Sequence, residues 1–154
     1  MLTLLYDNLL VEADGIGLIV KDKPLKSADG RIRGNRIALR NRLTNKEKGC
    51  VLAEELGHYH TTVGNIVSQS STADCKQERR ARVWAYEKLV GLTGIISSYR
   101  HGCQTLYETA EYLEITEDFL AEALQYYRER YGICTTVDNY VIYFEPSIGV
   151  FELI

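Results

Sequence analysis

Thr44-Asn-Lys-Glu47 constrains the fold more than any other short run in the chain, because it sets the start and direction of a helix. The Thr44 hydroxyl can accept from the third helical amide, while Glu47 reaches back to the amide of Thr44. The helix begun there is expected to run through Cys50, Leu52, Leu56 and His58 and to fray near Gly64, a length of about 18 residues. Within it, Glu54 and His58 are one turn apart. Positions four apart project within about 40° of each other, so the two side chains share a face and can grip one ion. Glu55 lies beside them.

This is the geometry of a helix in which two ligands a turn apart bind a metal and an intervening glutamate holds the attacking water as general base. The pattern here is E-E-x-x-H, with Glu54 where a first histidine usually stands. Carboxylates bind zinc at about 2.0–2.2 Å, so the exchange retains a donor. Two carboxylates and a neutral imidazole would cancel the charge of a divalent ion. Such a site would activate water less strongly than a two-histidine site. An oxygen-rich set also discriminates less sharply against Mn²⁺ relative to Zn²⁺.

A second helix is expected from Asp74 and Gln77 through Arg80 and Trp84 to Leu89, with Ala81, Trp84, Ala85 and Lys88 following Glu78 at helical steps. The run Leu52-Ala-Glu-Glu-Leu-Gly-His-Tyr-His60 resembles the active helix of the ImmA/IrrE metallopeptidases, usually H-E-L-G-H. Gln77-Glu-Arg-Arg-Ala-Arg-Val-Trp-Ala85 resembles that family's E-x-x-A-x-x-F/W-A pattern. In the second motif the family's glutamate, here Glu78, supplies the third metal ligand. The resemblance extends over most of the chain, and its specific motifs occupy residues 51–85.

The resemblance implies a zinc-dependent endopeptidase with Glu54, His58 and Glu78 on the metal and Glu55 as the base. Its implied partner is a helix-turn-helix repressor of a prophage, integrative element or stress regulon, which it would cut. A second reading is a catalytically inactive, metal-free descendant that binds a repressor or other partner protein and regulates it without hydrolysing it, and the Glu54 exchange speaks for it.

The residues themselves also admit plainer readings. Glu54, Glu55, Glu78, Arg79 and Arg80 can form a solvated face with interhelical ion pairs, each worth under about 1 kcal/mol. His60 stands about 240° round the helix from Glu54 and would reach the same ion only through a distorted helix. His101 reads as a charge partner at a helix C-terminus. Gly57 in mid-helix costs roughly 1 kcal/mol relative to alanine, a cost that a strand or substrate backbone passing close by would account for, as would helix packing alone.

The remaining segments predict an α+β fold in one domain spanning 1–154, with a small antiparallel sheet packed on the metal-bearing helix and a helical region following. A short helix through about Leu10 precedes a strand in Gly17–Val20 and a hairpin or bent strand pair in Arg31–Leu39 around Gly34-Asn35. Gly91 is expected to stop the second helix. Thr93 opens a short helix ending near Gly102, Thr105-Leu-Tyr-Glu108 forms another capping box, and Thr116 caps a helix ending at Gly132. Strand-like residues return in Asn139–Glu145 and Ile148–Ile154.

Residues 105–131 have a helix-turn-helix outline, yet a recognition helix opening on Thr116-Glu-Asp-Phe would aim carboxylates at phosphates. The formal net charge of −3 likewise argues against nucleic-acid binding. The composition, 45% hydrophobic and 25% charged, is that of a globular protein, and the apolar runs fall short of a membrane span. A start without a basic segment before its apolar residues predicts a cytoplasmic protein, consistent with Cys50, Cys75, Cys103 and Cys134 as reduced structural thiols.

Overall fold

A computed structural model describes residues 4–62 and 71–154. Contacts divide the chain into two compact units, Met1–Lys88 and Leu89–Ile154. The secondary structure is mixed α and β, as the sequence predicts. Helix α1 spans Leu4–Gly15, strands β1, β2 and β3 span Ile19–Lys23, Gly30–Arg33 and Arg36–Arg40, and helices α2 and α3 span Asn45–Thr62 and Ser71–Leu89. Helices α4, α5 and α6 follow at Gly91–His101, Leu106–Leu113 and Glu117–Tyr131. Strands β4, β5 and β6 at Cys134–Val137, Tyr140–Tyr143 and Gly149–Glu152 close the order.

In the first unit the strands lie in the order β1-β3-β2. β2 and β3 form the expected hairpin, turning in two residues between Arg33 and Arg36, with Gly34 at φ 59°. A positive φ at the first turn residue matches the right-handed twist of the flanking strands and suits glycine. The sheet is not wholly antiparallel, however: β1 pairs with β3 in parallel, Ile19 opposite Arg36 and Lys23 opposite Arg40. The segment between β1 and β2 carries the chain past the central position, so that β3 rather than β2 takes the place beside β1. Arg40 secures that crossover by donating from Nε to the carbonyl of Leu25 at 3.1 Å and from Nη2 to that of Lys26 at 2.9 Å, and by pairing with Asp29.

Helix α2 begins where the capping box places it. The amide of Glu47 donates to Thr44 Oγ1 at 3.2 Å, and the amide of Thr44 donates to Glu47 Oε1 at 3.1 Å. Its inner face buries Cys50, Leu52, Ala53, Glu55, Leu56 and Gly57. Ile37 and Leu39 of β3 and Leu9 and Ala13 of α1 are the other main apolar elements of this core. Each fully buried leucine or isoleucine contributes about 1.5–3 kcal/mol. Gly64, expected at the frayed end of α2, lies outside the described residues.

Helix α3 starts at Ser71, earlier than the Asp74 signal suggests, so Asp74 sits inside the helix rather than at its cap. Its approach to α2 explains Gly57. A methyl group on Gly57 would lie 2.4 Å from the carbonyl oxygen of Ala81 and 3.0 Å from its Cα, and Ala81 is itself fully buried. The close-passing backbone is therefore that of a neighbouring helix.

In the second unit, Thr105 Oγ1 accepts from the amide of Glu108 at 3.0 Å, and Thr116 Oγ1 accepts from that of Phe119 at 3.1 Å. Glu108 reaches the amide of Gln104 at 2.9 Å rather than that of Thr105, one residue beyond the reciprocal bond of a capping box. Helix α4 starts at Gly91, two residues before the expected Thr93, and ends at Gly102 in the left-handed region. Strand β4 was not expected; it pairs antiparallel with β5, which pairs with β6. Phe119, Leu120, Ala123 and Leu124 of α6 are buried with Ile142 and Phe144. The first turn of α6 leaves Glu117 and Asp118 exposed. His101 stacks on Tyr112 with ring centres 4.5 Å apart.

The α2–α3 contact yields a prediction. Gly57→Ala adds a methyl group against backbone that cannot rotate away, and the overpacking, about 1–3 kcal/mol, outweighs alanine's advantage of about 1 kcal/mol within a helix. Urea unfolding is expected to show a lower midpoint for the variant; an unchanged or raised midpoint would mean that the helices separate at little cost.

Candidate active site

Helix α2 places Glu54, Glu55 and His58 along about one turn, and α3 brings Glu78 to them. His58 and Glu78 meet directly, with Nε2 of the imidazole 3.3 Å from Oε1 of the carboxylate. His58 is the more enclosed partner, its side chain 19% exposed against 59% for Glu78. The last turn of α2 is tied down by back-bonding hydroxyls: Thr61 donates to the carbonyl of Gly57 at 2.7 Å, and Thr62 donates to that of His58. Such bonds hold the end of the helix to the turn that carries His58.

Glu55 projects toward the sheet and is 8% exposed. Strand β2 crosses it at Gly30, where an added methyl group would meet Glu55 Oε1 at 2.9 Å and Val51 Cγ1 at 2.5 Å. Only a residue without a side chain allows β2 to lie this close over the carboxylate. Burial is the main cause that lifts the Glu55 pKa from 4.5 to about 7, and the negative charges of Glu54 and Glu78 add to it. Both neighbours therefore act on the same carboxyl group.

The negative charges of Glu54 and Glu78 oppose that of Glu55, and a cation would relieve that repulsion. The donor chemistry suits a divalent ion. Two ligands at about 2.0–2.1 Å on a tetrahedral centre stand about 3.3 Å apart, the spacing that His58 and Glu78 already have. Glu54 is half-buried and lies within electrostatic reach of Glu55. Among the described residues, no three His, Cys, Asp or Glu side chains converge as a group able to hold a metal. The structure thus pairs two of the expected ligands without bringing Glu54 into a three-donor set with them.

His60 turns elsewhere. Its ring stacks on Trp84 of α3, centres 4.9 Å apart and planes inclined by 23°. It serves as a second bridge between the helices. The contribution of Gly30 was hidden in the sequence, where Asp29-Gly30 reads simply as a turn. A glycine at the first residue of a strand is the only signal that could have pointed to a close approach there.

The buried carboxyl group gives a pH dependence. A folded-state pKa of about 7 against 4.5 for the free side chain means that the folded protein holds a proton that the unfolded chain releases. Stability therefore falls as pH rises from 4.5 to about 7, with the whole penalty present above it. At about 1.4 kcal/mol per pH unit, the penalty is about 3 kcal/mol. In chelator, Glu55→Gln should be more stable than the parent at pH 8 and equal to it near pH 4.5. Thermal melts across that range test this, and a difference that does not change with pH would put the Glu55 carboxylate in water.

No curated protein matches the chain. The family model described as the IrrE N-terminal-like domain, Peptidase_M78, matches residues 12–125, a span that includes α2, α3 and every residue of the site. That family points to a metallopeptidase-type function. With the model covering well over half of its length, the chain belongs to the M78 peptidase family and carries an IrrE N-terminal-like domain.

Proposed function

We propose that this protein is a metal-dependent endopeptidase that hydrolyses a peptide bond in a protein substrate. The observation that carries the reading is the meeting of His58 and Glu78 from two helices at 3.3 Å, beside a buried carboxyl group with a pKa of about 7. Glu54, His58 and Glu78 would hold the ion, Zn²⁺ first and Mn²⁺ as the alternative that an oxygen-rich set admits. A divalent ion bound there would supply Lewis acidity toward the scissile carbonyl and the attacking water.

The chain's own residues then perform the proton transfers. Glu55, poised near neutrality, takes a proton from the attacking water and returns it to the departing amine. Its seat beneath β2 excludes bulk water from one side. The Glu54 position makes the set more anionic than a two-histidine site, so activity is expected to favour a pH above 7. The substrate implied by family resemblance is a helix-turn-helix repressor of a prophage or other mobile element, in the cytoplasm. Among the described residues no helix is long and apolar enough to cross a membrane.

Elemental analysis of protein purified without chelator should find about one zinc per chain, lost in Glu54→Ala, His58→Ala and Glu78→Ala. Glu55→Gln should keep the metal while kcat falls by about 10²–10⁴. Protein that carries no metal, and whose melting temperature does not rise with added Zn²⁺ or Mn²⁺, would replace this reading with that of a metal-free descendant which binds its repressor without cutting it.

A further inference from the structure

The sheet of the first unit has two faces of opposite character. Side chains alternate along a strand, so Gly30 and Ile32 of β2 and Ile37 and Leu39 of β3 face α2, while their neighbours face away. The away face presents Lys21 and Lys23 from β1, Arg31 and Arg33 from β2, and Arg36 from β3, all exposed. They line a groove of about 350 Å³ in which, among the described residues, no carboxylate takes part. Five of the chain's 18 lysines and arginines thus stand together on a few square nanometres of a protein whose net charge is −3.

That arrangement opposes folding. Arg33 stands directly across from Arg36 in the antiparallel pair, and like charges directly opposite on a sheet are destabilising. Arg40, at the end of the same face, is already engaged by Asp29 and two carbonyls and is not among the groove's lining residues. The floor between the cations is apolar: Ala38 lies between Lys21 and Arg31 in register, and Ile19, 44% exposed, lies beside Arg36.

We propose that this face is an exosite for an acidic segment of the protein substrate, one that alternates carboxylates with apolar side chains. The proposal rests on the reading of the chain as a peptidase acting on proteins. Charge complementarity identifies the occupant: arginines offer carboxylates paired donors in a fixed fork, and Ile19 and Ala38 offer the apolar contact that a phosphate backbone cannot use. Among the described residues no aromatic ring lines the groove to stack a base. A long polyanion would also meet the field of a net-negative protein, whereas a short segment senses only charges within a Debye length of about 8 Å. The same strand serves both places, since β2 lies over Glu55 with Gly30 and turns Arg31 and Arg33 to the groove. A substrate held by the groove is therefore held within a strand's thickness of the proposed base.

The test is fluorescence anisotropy with a fluorescein-labelled peptide of repeated Glu-Glu-Leu triplets, in chelator, so that metal content and hydrolysis do not enter. The double variant Arg31→Gln/Arg33→Gln should bind about tenfold more weakly than the parent, and Lys21→Gln/Lys23→Gln, on another strand, should weaken the same complex. Arg82→Gln/Arg100→Gln, which removes the same charge from exposed helical positions, should leave binding within about twofold of the parent. The groove variants should melt no lower than the parent, because they relieve repulsion across the sheet. Glu55→Gln should bind the peptide as the parent does, so a failed peptidase reading and a failed exosite give different results. Equal losses in the groove and control variants, or tighter binding of a random duplex DNA than of the peptide at the same salt, would overturn the proposal.

Discussion

The first unit depends on the distance between α2 and α3, and that distance is set by a missing side chain. Gly57 lets the backbone of Ala81 come within contact of α2. Glycine within a helix is locally unfavourable by about 1 kcal/mol, and what it permits is a crossing too close for any larger residue. His58 follows Gly57 directly, while Glu78 lies almost one turn before Ala81. The close crossing and the meeting of imidazole and carboxylate are therefore one geometric fact seen at two points along the same pair of helices. The His60–Trp84 stack holds the pair together further along.

A second glycine does for the sheet what Gly57 does for the helices. Gly30 brings β2 down on Glu55, and the resulting burial is the first cause of that group's raised pKa. Burying an ionisable group costs stability, and the negative charges of Glu54 and Glu78 increase that cost. Residues that pack well would not be arranged this way for packing alone. A strongly shifted carboxyl group is a recognised mark of chemistry, and here the shift arises from backbone proximity on one side and like charges on the other.

Much of this was legible in the residues. The Thr44–Glu47 box places the start of α2, and the four-residue step from Glu54 to His58 gives their common face. The spacing after Glu78 gives α3, although that helix begins at Ser71, before Asp74. What the sequence could not supply was pairing between segments. The parallel match of β1 with β3 depends on how the chain between Lys23 and Gly30 is anchored by Arg40, a contact fifteen residues away in sequence. Strand β4 was missed because Cys134-Thr-Thr-Val137 is short, and only its register against β5 makes it a strand. Gly30 looked like a turn residue because its neighbour in space, Glu55, is distant in the chain. The relation of Glu54 to His58 and Glu78 is another matter of space: a shared helix face sets direction, while convergence on one point requires the second helix as well.

The stack of His60 on Trp84 has an optical side. Trp84 is the chain's one tryptophan, so all of the protein's indole emission comes from a ring seated against an imidazole of α2. The fluorescence of this protein thus carries, without any label, a signal of the contact between α2 and α3.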